Sequence, residues 1–139
     1  MDEVLLDNDI LSEILKGKNP QVLGTARTYL AQHQRFAFSA ITFYEIVRGF
    51  RASQAIGSLS KFILLANGSD VRPVSIPILM RAADLWAEAF RNGHPRGDAD
   101  LIIAATALDS QRSLVTGNTA HFAWTPGLVV SDWRLNVGP

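Results

Sequence analysis

The sequence contains no cysteine. That absence removes disulfide staples, thiolate zinc centres and cysteine nucleophiles together, and it fits a reducing compartment. Long apolar runs are missing as well. No stretch reaches the ~18 uninterrupted apolar residues of a membrane span, so no membrane contact is expected. The first residues carry Asp2 and Glu3 and no basic cluster, unlike a secretory leader; the expected location is cytoplasmic. A charge excess is also lacking, because 13 basic residues balance 13 acidic ones. A chain gripping nucleic acid with its whole surface would be strongly basic, so any polyanion contact must come from a local rim. Lysine occurs only at positions 16, 18 and 61. The other basic residues are arginines, whose planar fork suits phosphate. His33, His94 and His121 lack metal-ligand spacing and read as solvent-facing. Gly97 and Gly117 do not compose a phosphate-binding glycine fingerprint.

What is present describes one folded domain over residues 1–139. The chain is 47% hydrophobic and 19% charged, which is a globular balance at a size that buries a core unaided. Val4-Leu5-Leu6 suits a buried parallel strand. Ile10, Leu11, Ile14 and Leu15 give the next helix an apolar face that Gly17 ends. Asn19-Pro20 reads as a cap and first helical residue, followed by a stripe at Val22, Ala26, Tyr29 and Leu30. A strand is expected over 35–40. Thr42 and Glu45 have capping-box spacing before a helix running to about Ala55, and another helix is expected over 57–66. A strand over 71–76 and a helix opened by Pro77 follow, with Ile78, Ala82, Leu85, Trp86 and Phe90 as its face. The segment from Asp98 to Ser110 is apolar nearly all round, so that helix belongs at the domain centre. Asp98 reads as its cap. Residues 113–116 and 128–130 supply the last strands, with a loop between; Trp124 and Trp133 flank it as packing residues. Strands alternating with helices favour a parallel sheet with right-handed crossovers.

Against this background three acids stand out. Asp7 follows the first apolar strand, Glu45 lies in Ser-Ala-Ile-Thr-Phe-Tyr-Glu-Ile, and Asp100 opens the buried helix. Ligands of open α/β sheets bind at strand carboxyl ends, so a parallel sheet would bring these acids to one edge with Asn118. Each also has a plain role: Asp7 as a helix cap, Glu45 as the partner of Thr42, Asp100 as a helix-start charge, Asn118 as a turn residue. Jointly, carboxylates in apolar surroundings repel one another and lose hydration. Mg²⁺, or Mn²⁺ in its place, would relieve that conflict and could polarise a phosphoryl group. Arg96, just before the buried helix, is the candidate phosphate contact. Asp9 is open between helix-start charge and ligand.

The ordered motifs resemble those of the PIN-domain ribonucleases, and within them the VapC toxins of VapBC toxin–antitoxin pairs. Leu-Leu-Asp7-Asn-Asp-Ile-Leu-Ser is similar to that family's strand-Asp-Thr-Asn-Ile-Leu-Ser opening. Residues 39–46 with Gly49, residues 100–107, residues 114–118 with Phe122, and residues 126–133 resemble its later motifs. The resemblance implies a PIN-like, Rossmann-like α/β fold of three layers, with a central, mostly parallel sheet of four or five strands flanked by helices. It implies a Mg²⁺-dependent endoribonuclease whose catalytic residues would be Asp7, Glu45, Asp100 and Asn118, with Asp7 and Asp100 as the main metal ligands and RNA as substrate. It further implies a cognate VapB-type antitoxin, a homodimer and a toxin–antitoxin hetero-oligomer. Two positions depart from the family pattern: Asn8-Asp9 replaces Thr-Asn, and His121 stands where an acid is usual.

Asp7-Asn8-Asp9 after a strand also suits a haloacid-dehalogenase-like phosphatase or a receiver domain. Both would want a downstream lysine, and none follows Lys61. A degenerate PIN binding module is the non-enzymatic alternative, against which the intact acids argue.

Overall fold

The computed structural model describes residues 1–135; the last four positions of the expected 1–139 domain lie outside the described residues. The chain runs β1 (Val4–Leu6), α1 (Asn8–Lys16), α2 (Pro20–His33), β2 (Ala37–Ser39), α3 (Ala40–Ala52), α4 (Ile56–Asn67), β3 (Asp70–Arg72), α5 (Ile76–Arg91), α6 (Asp98–Asp109), β4 (Ser113–Val115), α7 (Thr119–Phe122) and β5 (Val130–Ser131). β1 pairs in parallel with β4, β4 with β5, and β2 with β3. β2 lies alongside β1 without pairing to it, so in place of the single sheet of four or five strands expected, the strands form a three-stranded sheet, β1-β4-β5, and a two-stranded one, β2-β3, in the spatial order 3-2-1-4-5. The central strands are wholly buried, as parallel strands covered on both faces must be.

Alternation along the strands divides the interior in two. Val4 and Leu6 face one core, with Ile10, Leu11, Val22, Tyr29, Phe38, Phe62 and Trp133. Leu5, Ala37 and Leu114 face the other, with Ile78, Leu85, Leu101, Ile103 and Phe122. A side-chain period of two sends neighbours to opposite faces, so three-residue strands suffice to carry helices on both sides. α6 is buried around most of its circumference, as its unbroken apolar sequence predicts.

The local signals mostly act as expected. Gly17 ends α1 at φ 66° and Asn19 caps α2 through its side chain. The Thr42 capping box is not formed. Ser39 caps α3, its Oγ accepting from the Ile41 N–H at 3.2 Å, because the helix starts directly after β2. Thr42 is buried inside the helix with its hydroxyl unpartnered, and Glu45 falls in the second turn instead of the first. Gly97, not Asp98, is the N-cap of α6; Asp98 is already helical. The expected loop after β4 contains α7. The strand expected over 71–76 is confined to Asp70–Arg72, since Pro73 has no N–H for a ladder. Leu85 enters the core, while Trp86 and Phe90 stack on the exposed face of α5 with centroids 5.0 Å apart. Trp133 packs in the core and Trp124 is half-buried. No helix among the described residues is long and apolar enough to cross a membrane.

Candidate active site

The pairing of β1 with β4 decides where the first acid sits. Asp7 extends β1 by one residue, its N–H donating to the Val115 carbonyl at 2.9 Å. It is also the N-cap of α1, so the plain reading and the functional one coincide in one residue. The residue is 7% exposed. Oδ1 accepts from the Asn8 N–H and Oδ2 from the buried Thr116 hydroxyl, both at 2.8 Å. The Asp7 carboxyl is pushed up to about 6: burial raises it most, those two hydrogen bonds pull against it, and the charges of Asp9 and Asp100 add to the rise. A cation would reverse the balance, and no arginine, lysine or histidine side chain pairs with Asp7 among the described residues.

The other acids are each held differently. Glu45 Oε1 accepts from the Asn8 side-chain amide at 3.0 Å, and Oε2 lies 3.7 Å from Arg48. Asn8 Oδ1 is buried without a partner. Asp100, in the first turn of α6, lies 3.1 Å from His121 Nδ1. Asn118 donates its backbone N–H to Thr116 Oγ1 at 3.0 Å, and its exposed side chain does not cap α7. Thr116 therefore joins Asp7 to the loop that carries Asn118. Among the described residues no three His, Cys, Asp or Glu side chains gather tightly enough to cage an ion.

Asp9 is held by two backbone N–H donors. Its Oδ1 accepts from the Ile10 N–H at 2.8 Å and its Oδ2 from the Gly117 N–H at 2.7 Å. A carboxylate has two acceptor oxygens and serves both donors, whereas an amide has one. The Gly117 carbonyl accepts from Arg134 Nη2 at 2.8 Å, and Arg134 also grips Asp132 through Nε and Nη2. A Cβ at Gly117 would meet the ends of two side chains, the Arg134 guanidinium and Asp9 Oδ2 at 2.5 Å, and both would have to shift. Arg96 packs its guanidinium over the Trp124 ring, 5.0 Å from the centroid, with Nε buried and unpartnered. The Trp124 indole donates to the His121 carbonyl, so Arg96 connects through two residues to Asp100.

Comparison with known families is decisive at the level of the fold. The PIN domain family model matches residues 4–126. The chain belongs to the PIN-domain family. That membership removes the phosphatase and receiver alternatives. The chain is 28% identical over 131 residues to ribonuclease VapC1 of Haemophilus influenzae, covering 93% of this chain and 96% of that protein. It is 26% identical over 137 residues to the tRNA(fMet)-specific endonuclease VapC of Shigella flexneri, covering 96% and 99%. Among solved structures it resembles DNA-bound VapBC from Salmonella typhimurium, with a TM-score of 0.84, 25% identity and 96% and 99% coverage. It shares its fold with VapBC2 of Rickettsia felis bound to a promoter DNA fragment, at a TM-score of 0.84 and 21% identity over 94% and 98% of the chains. Sequence alone does not mark Thr116 or Arg134 as site residues, marks His121 only as a departure from the family pattern, and leaves Asp9 open between helix-start charge and ligand. Thr116 carries a signal nonetheless, as a polar residue at the carboxyl end of a buried strand.

Proposed function

We propose that this PIN domain is the toxin of a VapBC-type toxin–antitoxin pair, a metal-dependent endoribonuclease that a VapB-type antitoxin holds inactive. The observation that carries the reading is Asp7: a buried carboxyl at a strand's carboxyl end, pushed up to about 6 and lacking a cationic partner. The similarity to VapC ribonucleases over nearly the whole chain supports the same chemistry.

A divalent cation fits the donors present. They are hard oxygens, the buried Asn8 Oδ1 is unpartnered, and Mg²⁺ uses one or two carboxylates while keeping waters, so it needs no closed protein cage. Asp7 and Asp100 would hold it. When bound, the cation supplies Lewis acidity toward the scissile phosphate and acidifies a water for attack. The chain's own residues fix the geometry. Thr116 and the Asn8 N–H lock the orientation of Asp7. Asn8 orients Glu45, which accepts the proton of the attacking water. Asn118 offers an amide to the RNA backbone, and Arg96, flattened on Trp124, offers its remaining guanidinium donors to a flanking phosphate. The exposed apolar face of α5, with Leu79, Met80, Trp86 and Phe90, suits a second copy of the chain.

Purified protein freed of antitoxin should cleave RNA with Mg²⁺ or Mn²⁺ and stop in EDTA. Full cleavage in EDTA would overturn the metal mechanism. Metal binding without cleavage of any RNA would favour the degenerate binding module.

A further inference from the structure

The contact nearest the surface of the site joins a carboxylate to an imidazole. His121 Nδ1 and Asp100 Oδ2 stand 3.1 Å apart, on side chains 64% and 35% exposed. The backbone of His121 is fixed on both sides. Its N–H donates to the Asn118 carbonyl at 2.9 Å, and its carbonyl accepts from the Trp124 indole, which Arg96 covers. The ring is thus delivered to Asp100 by a short helix pinned at its end, while remaining open to an ion from solvent. The two atoms stand at hydrogen-bond distance, so a cation that displaced the shared proton would meet an imidazole nitrogen and a carboxylate oxygen side by side.

We propose that His121 is a nitrogen ligand to the cation held at Asp100, and that it turns the preference of the site from Mg²⁺ toward Mn²⁺. This rests on the metal-dependent reading above. Mg²⁺ selects oxygen donors and retains its waters, whereas first-row transition ions accept imidazole. Asp7 and Asp100 alone would suit either ion; a nitrogen beside them favours the transition ion.

The test uses the whole chain, stripped of metal, with Mn²⁺ followed by electron paramagnetic resonance and Mg²⁺ added as competitor. Pulsed spectra of bound Mn²⁺ should show coupling to a ¹⁴N nucleus that His121→Ala abolishes. His121→Asn keeps an N–H donor for Asp100 but is a poor ligand, and it should lower Mn²⁺ affinity about tenfold, the scale on which a group supporting a metal site acts. Mg²⁺ affinity should stay unchanged, which also shows that the variant is folded. Bound Mn²⁺ without nitrogen coupling, or full Mn²⁺ affinity in His121→Asn, would overturn the ligand role and leave His121 as an orienting partner of Asp100. Absence of any divalent binding by the unaltered protein would overturn the metal reading itself.

Discussion

The two ends of the sheet solve the same electrostatic problem in opposite ways. At the amino end, Arg112 reaches Glu3 at 2.9 Å, Asp70 at 3.5 Å and the Val4 carbonyl at 3.4 Å, and Arg72 adds a second cation 3.4 Å from Asp70. Each of those acids has an arginine. At the carboxyl end, Asp7 has only neutral donors, a hydroxyl and an N–H, with Asp9 and Asp100 adding to its charge stress. A hollow of about 670 Å³ opens at the amino end among Glu3, Gln111, Arg112 and Ser113. Volume alone would put the function there. The balance of charge favours the other end, because an uncompensated carboxylate is a cost retained where chemistry needs it.

The sharpest way to break this contrast is Asp7→Asn. RNA cleavage should fall by about 10³-fold or more, in keeping with the loss of a group on which transition-state stabilisation depends. The fold should survive. In chelator at pH 7 the variant should melt no lower than the parent, because removing a carboxyl raised to about 6, which opposes folding when ionised, offsets the second acceptor oxygen that an amide lacks. A variant less stable than the parent would show that the carboxylate is compensated after all. Next in size is Gly117→Ala, whose methyl would meet Arg134 and Asp9. It should cost about 1–3 kcal/mol by overpacking and weaken metal binding by displacing Thr116. A crystal structure with an undisturbed Asp7–Thr116 bond would refute that link.

The pH response has the same origin. Asp7 is pushed above the usual carboxylate range, so its effect on metal-free stability is most favourable below about pH 4 and is lost as pH rises through about 6. Metal affinity runs the other way, weakening about tenfold between pH 7 and pH 5 as a ligand protonates. Calorimetric titrations at the two pH values should find that slope, and a flat profile would remove Asp7 from the ligand set. The smallest effect belongs to the amino end. Arg112→Met should cost about 1–2 kcal/mol, since a mostly buried cation leaves Asp70 short of a partner. Cleavage per folded molecule should be unchanged, and a large catalytic loss would mean that the two ends are coupled.

The sequence carried the fold further than it carried the site. Hydrophobic periods of two and 3.6 place the strands and helices, and Gly17, Asn19 and Pro77 mark boundaries that the structure keeps. Asp7, Glu45 and Asp100 stand out as candidates in the sequence because each is an acid set in apolar surroundings. The Thr42 capping box misled because its spacing recurs inside helices, whereas a serine directly after a strand is the stronger start signal. The partners of the acids were not legible. Thr116 meets Asp7 across 109 positions, and Gly117 meets Asp9 across 108. Such contacts follow from strand order, which local patterns do not encode. His121 was set aside for lacking ligand spacing, yet its neighbour in space is Asp100.

The pairing of β1 with β4 has a consequence in time as well as in space. Residues 4–6 leave the ribosome early, but the strand beside them is residues 113–115, and the Thr116 hydroxyl that orients Asp7 follows at once. Until that segment is made, Asp7 has neither its neighbouring strand nor its hydroxyl partner. A chain proposed to cut RNA therefore lacks an oriented Asp7 until residues 113–116 have been made. The order of the strands thus postpones the assembly of the candidate site until β4 is in place.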